Sequence, residues 1–160
     1  MVVLRRLWIP ALLVAHFAAA AEFTCPVSKP PDPPFVPPAP YEAVPGAGDF
    51  WYGTPDLWTD LPKDGVWSGL PYEKDEGYGN KLFLWQAGYD GRREPQPDII
   101  LVVKRLDANA PLVSKRGGTN ALFPGADVML TGVSFPAAGC WEVTAYHAGN
   151  TLTFVLSIKP

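Results

Sequence analysis

The chain has 160 residues, enough for one domain, with 48% hydrophobic and 18% charged residues. Its 19 prolines and 15 glycines disfavour a long helical bundle, because both residues interrupt helices. The hydrophobic fraction is too large for a disordered chain. A formal net charge of −3 disfavours a protein that binds nucleic acid through its phosphates.

Residues 1–21 have the pattern of a secretory signal peptide. Two adjacent arginines precede an apolar stretch, residues 7–20, and the three alanines that end at Ala21 fit a small-residue cleavage site. The apolar stretch has about 14 residues, whereas a helix needs about 20 to span a membrane. We therefore expect an exported protein, periplasmic or extracellular, whose mature chain begins near Glu22 and has no membrane span.

Two cysteines, Cys25 and Cys140, follow the predicted signal peptide. An even pair in an exported chain favours one disulfide, and two cysteines allow only one intrachain pairing. Two free thiols or an intermolecular bond are the alternatives. A zinc site is disfavoured, because the cysteines have no neighbouring histidine or paired carboxylates to complete a tetrahedral shell.

Residues 22–49 form a proline-rich segment, which we call the strap. It has nine prolines between Pro26 and Pro45. Because proline fixes φ and lacks a backbone donor, we expect extended polyproline II and neither a helix nor an inner strand. A ligand for a proline-binding groove and a spacer are the alternatives. We favour a covering segment that Cys25 pins, with Phe35 and Tyr41 packed on the domain.

Residues 50–160 have the strand-and-turn pattern of a β domain. The clearest feature is a hairpin, in which residues 141–146 alternate, residues 147–150 turn, and residues 152–158 place large apolar side chains on one face. Residues 73–80 contain charges and two glycines and predict a loop. Further strands are predicted at 57–59, 66–67, 82–85, 99–103 and 128–135.

This pattern predicts an all-β, immunoglobulin-like sandwich of about seven strands in two sheets, and a small open β-barrel is the alternative. Cys140 has the opposite parity to Trp141, so we expect the disulfide outside the core unless Gly139 forms a bulge. It would then fasten the strap across the surface. In antibody domains, by contrast, the disulfide crosses the core beside a tryptophan.

Five motifs scattered over the chain share a family likeness: Cys25-Pro26-Val27, residues 57–65, residues 105–111, residues 135–144 with Gly139-Cys140-Trp141-Glu142-Val143-Thr144, and Leu152-Thr153-Phe154-Val155. Together they resemble a family of small exported bacterial proteins of unassigned function. The resemblance does not extend to residues 73–97. It implies an exported, immunoglobulin-like bacterial domain, supports the pairing of the two cysteines, and supplies no catalytic residues.

No group of residues predicts an enzyme, a metal site or a cofactor. Ser134 and His147 are the candidate nucleophile and base of a hydrolase, but Pro136 stands where a nucleophile elbow needs a second glycine. Glu142 is the one acid inside a strong motif. Its solvent-facing parity favours a position beside a basic residue of the next strand over a general acid.

Aromatic residues concentrate between residues 51 and 89. Sugar rings stack on exposed aromatic faces, so the candidate ligand-stacking residues are Trp51, Trp58, Trp67 and Trp85. The alternative is that a small domain buries its tryptophans for stability, and burial of all four would exclude a sugar platform.

The favoured function is therefore a non-enzymatic binding or structural module of the bacterial envelope or exterior. Its partner would be a protein or a polysaccharide, and we expect it to bind no nucleic acid. Carbohydrate or cell-wall binding through the aromatic region is the alternative. A hydrolase is the least favoured.

Overall fold

The computed structural model describes residues 23–41, 45–123 and 126–160. The predicted signal peptide, residues 1–21, lies outside these ranges. Within them the chain forms eleven β-strands in several sheets that pack together, with no helix and no closed barrel. The predicted all-β sandwich is confirmed.

The strands in chain order are β1 Asp49–Thr54, β2 Leu57–Pro62, β3 Val66–Trp67, β4 Tyr72–Glu73, β5 Gly77–Leu84, β6 Ile100–Arg105, β7 Val113–Arg116, β8 Thr119–Phe123, β9 Ala126–Phe135, β10 Gly139–His147 and β11 Asn150–Ile158. One sheet has the order β3-β11-β10-β6-β7, and we call it the first sheet. The second sheet has the order β4-β5-β9-β8. The β1-β2 ribbon joins the second sheet through a bridge between Trp58 and Trp85.

The predicted hairpin is β10 and β11, and it supplies much of the core. Val143 lies opposite Phe154, and both side chains are almost completely buried. Trp141, two residues before Val143, is also fully buried. Leu82 and Leu84 of β5, in the second sheet, belong to the same apolar cluster as this buried face of the hairpin. The alternation in the sequence therefore identified the buried face of the hairpin correctly.

The prediction of a loop over residues 73–80 is wrong, because β4 ends at Glu73 and β5 begins at Gly77. Gly77 has a φ of +82°, which glycine adopts without strain. A Cβ atom at this position would collide with the backbone of Phe135. The glycine thus marks a close approach of two strands. The charged residues between β4 and β5 occupy a tight turn.

The strap is held on the domain at two places. The disulfide Cys25–Cys140 is present, with the two Cα atoms 5.5 Å apart. Next to it, Ser28 N donates to Val155 O at 2.9 Å, and Val155 N donates to Ser28 Oγ at 3.0 Å. The strap thereby covers part of the outer edge of β11.

The disulfide lies on the face of β10 that points away from the apolar cluster, as its parity predicts. Cys140 is opposite Ser157 and shares its face with Glu142, while Trp141 points into the core. Cys140 is nevertheless only 2% exposed. The bond is therefore external to the core but shielded from solvent.

At the second place, residues 35–41, the strap packs on the outer face of the second sheet. The ring centroids of Phe35 and Tyr41 lie 6.0 Å and 4.8 Å from that of Trp58, both in edge-to-face geometry. Tyr41 also donates its hydroxyl hydrogen to Gln86 O at 3.0 Å. The predicted packing of Phe35 and Tyr41 on the domain is confirmed.

Candidate functional site

The four predicted stacking tryptophans do not form one platform. Trp58 is completely buried beneath the strap, and Trp51 is 9% exposed. Trp85 is half-buried and lies beside Trp51, with their ring centroids 4.9 Å apart. Trp67 belongs to the first sheet, where it is half-buried against the core. Because two of the four are half-buried, the aromatic region is not wholly buried, but no row of exposed tryptophan faces is present among the described residues.

The structure does not bring Ser134 and His147 together. His147, at the end of β10, is 4% exposed, and both of its ring nitrogens have partners. Its Nδ1 lies 2.8 Å from Gln86 Oε1, and its Nε2 lies 3.3 Å from Glu94 Oε1. His147 therefore fastens the segment between β5 and β6. Ser134 lines a cleft to which His147 does not contribute.

The same segment holds a tyrosine in an acidic surrounding. Tyr89 donates its hydroxyl hydrogen to Glu94 O at 2.8 Å, and its ring meets that of His147 edge to face. Burial raises the pKa of Tyr89 to about 12, and the carboxylates of Glu94, Asp127 and Asp90 add to this shift. Both causes disfavour the phenolate, because one withdraws water and the other places negative charge nearby.

We expect a spectrophotometric titration to show one tyrosine that ionises near pH 12. This titration step should be absent from the Tyr89→Phe variant. A phenol with a raised pKa stabilises the fold fully below about pH 10, and this contribution is lost as the pH rises through about 12. A Tyr89 phenol that ionises at about 10, like a free tyrosine, would contradict this description of its surroundings.

Glu142 has the environment that its parity predicts. It lies on the outer face of the first sheet, opposite Lys104 on one side and Val155 on the other. A basic neighbour on the adjacent strand and an outward position are typical of a surface residue.

The arrangement best suited to binding lies where β9 extends beyond its neighbour. β9 pairs with β5 as far as Phe135, but its pairing with β8 spans only Ala126 to Leu130. Residues 131–135 of β9 therefore have no strand on that side. We call this stretch the free edge of β9.

Backbone hydrogen bonds show which groups point outward from the free edge. Gly79 N donates to Pro71 O at 2.9 Å, so the backbone of Gly79 points away from β9. In an antiparallel ladder these directions alternate, so Ser134, opposite Gly79, directs its N–H and C=O away from β5. Gly132 does the same. No group within the described ranges hydrogen-bonds to either backbone.

A cleft of about 420 Å³ opens between the two sheets beside the free edge. Three valines contribute to its apolar lining, Val103, Val113 and Val133, and three charged residues also line it, Asp75, Glu76 and Lys115. An apolar interior with a few charged groups is the usual composition of a binding cleft. We call the free edge and this cleft together the edge site.

Sequence reasoning did not find the edge site. Ser134 is part of it, but through its backbone and not as a nucleophile. Lys115 lies opposite Leu101 in register and therefore points towards the cleft, which is unusual for a charged residue on a strand. An inward-facing lysine on an edge strand is the one signal that could have indicated the site, because such residues commonly protect exposed edges.

No three or more His, Cys, Asp or Glu side chains in the described ranges are placed to hold a metal ion. In the same ranges no helix is long and apolar enough to cross a membrane. Comparisons with protein-family models, with curated proteins and with solved structures each gave no match.

Proposed function

We propose that this protein is a non-enzymatic binding module of the bacterial envelope or exterior, and that it binds an extended segment of a partner protein at the edge site. The observation that carries the proposal is the free edge of β9, whose outward backbone groups at Gly132 and Ser134 lie beside an apolar cleft. Strand addition uses these two features together, backbone groups for affinity and a cleft for side chains.

The surroundings of the edge site support a partner strand over self-association. Unpaired edges promote aggregation, and proteins usually protect them with a charge. Lys115 provides that charge, since its Nζ lies 2.7 Å from the position that a Cβ atom of Gly132 would occupy. A flexible lysine can move aside when a partner strand binds.

Export belongs to the proposal as well. Disulfides persist in oxidising compartments, and Cys25–Cys140 supports a location outside the cytoplasm. The apolar stretch at residues 7–20 and the likeness to exported bacterial proteins are the sequence features that agree with it. Polysaccharide binding is the weaker alternative, because the strap covers Trp58, and of the four candidate tryptophans Trp85 alone is half-buried on that face.

The test is the change Ser134→Pro with a peptide library prepared from bacterial envelope proteins. Proline removes the outward N–H of Ser134 without breaking a bond to β5, and edge strands tolerate proline at such positions. We expect peptides retained by the wild type to bind at least about tenfold more weakly, a loss of about 1.4 kcal/mol. Binding is measured by fluorescence anisotropy of labelled peptides.

Thr153→Pro is the matched control. Val155 directs its backbone to Ser28, so Thr153, two residues earlier on β11, directs its own N–H to the same outer edge, far from the cleft. This variant should bind peptides as the wild type does. Equal peptide binding by Ser134→Pro and the wild type would rule out the edge site as the binding surface.

A further inference from the structure

The edge site carries opposite charges at its two ends. Lys115 reaches the Gly132 end of the free edge, as the close approach of its Nζ shows. Asp75 and Glu76 lie at the other end, because the glycine that follows them, Gly77, packs against the backbone of Phe135 and Pro136. All three charged side chains line the same cleft.

The separation of these charges matches a short length of extended chain. Between Thr131 and Phe135, whose buried side chains share the face of Val133, the backbone covers four residues, or about 13 Å at the rise of a strand. In an extended partner the first, third and fifth residues of a five-residue stretch point to the same side. Three partner side chains can therefore face the cleft at once, one at each charged end and one over the apolar lining at Val133.

We propose that the edge site selects a partner segment of the form basic–x–apolar–x–acidic, bound antiparallel to β9. This inference rests on the proposed function. The antiparallel direction is part of the proposal, and both strands that pair with β9 in the described ranges, β5 and β8, run antiparallel to it. An antiparallel partner begins at the Pro136 end, so its basic residue meets Asp75 and Glu76. Its acidic residue then meets Lys115.

The partner must be a different protein. No lysine or arginine in the 160 residues is followed by an apolar residue two positions later and an acidic residue four positions later. Lys81 is an example of the mismatch, since Phe83 and Trp85 follow it at these positions. A second copy of the chain therefore offers no segment with the required order.

The experiment uses two synthetic peptides of identical composition and opposite order, Thr-Lys-Thr-Val-Thr-Glu-Thr and Thr-Glu-Thr-Val-Thr-Lys-Thr, with blocked ends. We expect the peptide with lysine first to bind about tenfold more tightly at low ionic strength, because the reversed order places like charges together at both ends. The preference should weaken as salt increases. Equal binding of the two peptides, or tighter binding of the reversed one, would overturn the proposed order.

Charge-reversal variants locate the effect. Lys115→Glu combined with Glu76→Lys should shift the preference towards the reversed peptide. Lys29→Glu, at an exposed position of the strap beside β11, should leave the preference unchanged. Both positions of the double variant are exposed, and thermal unfolding checks that the fold is retained. A double variant that folds and keeps the original preference would overturn the charge assignment.

The outcomes separate this inference from the function on which it rests. If neither peptide binds while envelope-derived peptides still bind in a manner sensitive to Ser134→Pro, the charge order is wrong and strand addition stands. If envelope-derived peptides bind equally to Ser134→Pro and the wild type, strand addition itself is wrong, and the charge order with it.

Discussion

Replacing both cysteines, by Cys25→Ala with Cys140→Ala, is expected to lower the free energy of unfolding by about 3 to 5 kcal/mol. The bond joins residues 115 positions apart, and a link over so long a loop restricts the unfolded chain strongly. A domain of this size is usually stable by about 5 to 15 kcal/mol, so the loss is a large part of the total. Urea unfolding at equilibrium, followed by tryptophan fluorescence, measures it.

Ser28→Ala is the control for this experiment. It keeps the disulfide and removes only the hydrogen bond from Val155 N to Ser28 Oγ, so the expected cost is about 1 kcal/mol. Reduction of the wild type should reproduce the double alanine variant. If the free energy of unfolding of the double alanine variant lies within about 1 kcal/mol of the wild-type value, the disulfide does not stabilise the fold in the way that loop closure implies.

The central hairpin could be predicted because its information is local. The side chains of β10 and β11 alternate between apolar and polar, and that alternation alone fixes which face is buried. The same parity placed Cys140 away from the core, as the structure has it. Glycine spacing was less informative. Gly77 indicated a loop, whereas its role is to let β5 pass close to Phe135.

Four strands, β1, β4, β7 and β8, were not predicted, and the last two carry little pattern in their own residues. β7, Val113–Arg116, has one apolar residue and three exposed polar ones, and it is held by its ladder with β6. β8 has no clear alternation, and its ladder with β9 forms it. Strands of this kind depend on a partner that is distant or unknown at the level of sequence.

The edge site could not be derived for a related reason. It exists because the pairing of β8 with β9 stops at Leu130 while that of β5 continues to Phe135, and this difference is a property of the assembled sheet. Its charged residues come from separate elements, Asp75 and Glu76 from a turn and Lys115 from β7. The burial of Trp58 could not be derived from its own segment either, because the residues that cover it lie in the strap.

The change Trp58→Ala is expected to cost about 3 to 5 kcal/mol of unfolding free energy, the range for a large aromatic residue in a core. Trp58 is completely buried although it lies on the outer face of its sheet, because Phe35 and Tyr41 pack on it. Removing the indole therefore opens a cavity and also detaches the distal part of the strap. Urea unfolding measures the first effect, and faster amide hydrogen exchange in residues 35–41 measures the second.

Trp58→Phe and Trp67→Ala serve as controls. Trp58 Nε1 is buried without a hydrogen-bond partner among the described residues, so phenylalanine keeps an aromatic contact while removing an unpaired donor. We expect this variant to lose less than about 1.5 kcal/mol, in the range of conservative core changes, and to keep the strap protected. Trp67→Ala should destabilise the fold without changing exchange in the strap, because Trp67 packs against Phe135 and belongs to the first sheet. Unchanged protection of residues 35–41 in Trp58→Ala would mean that the disulfide alone holds the strap on the domain.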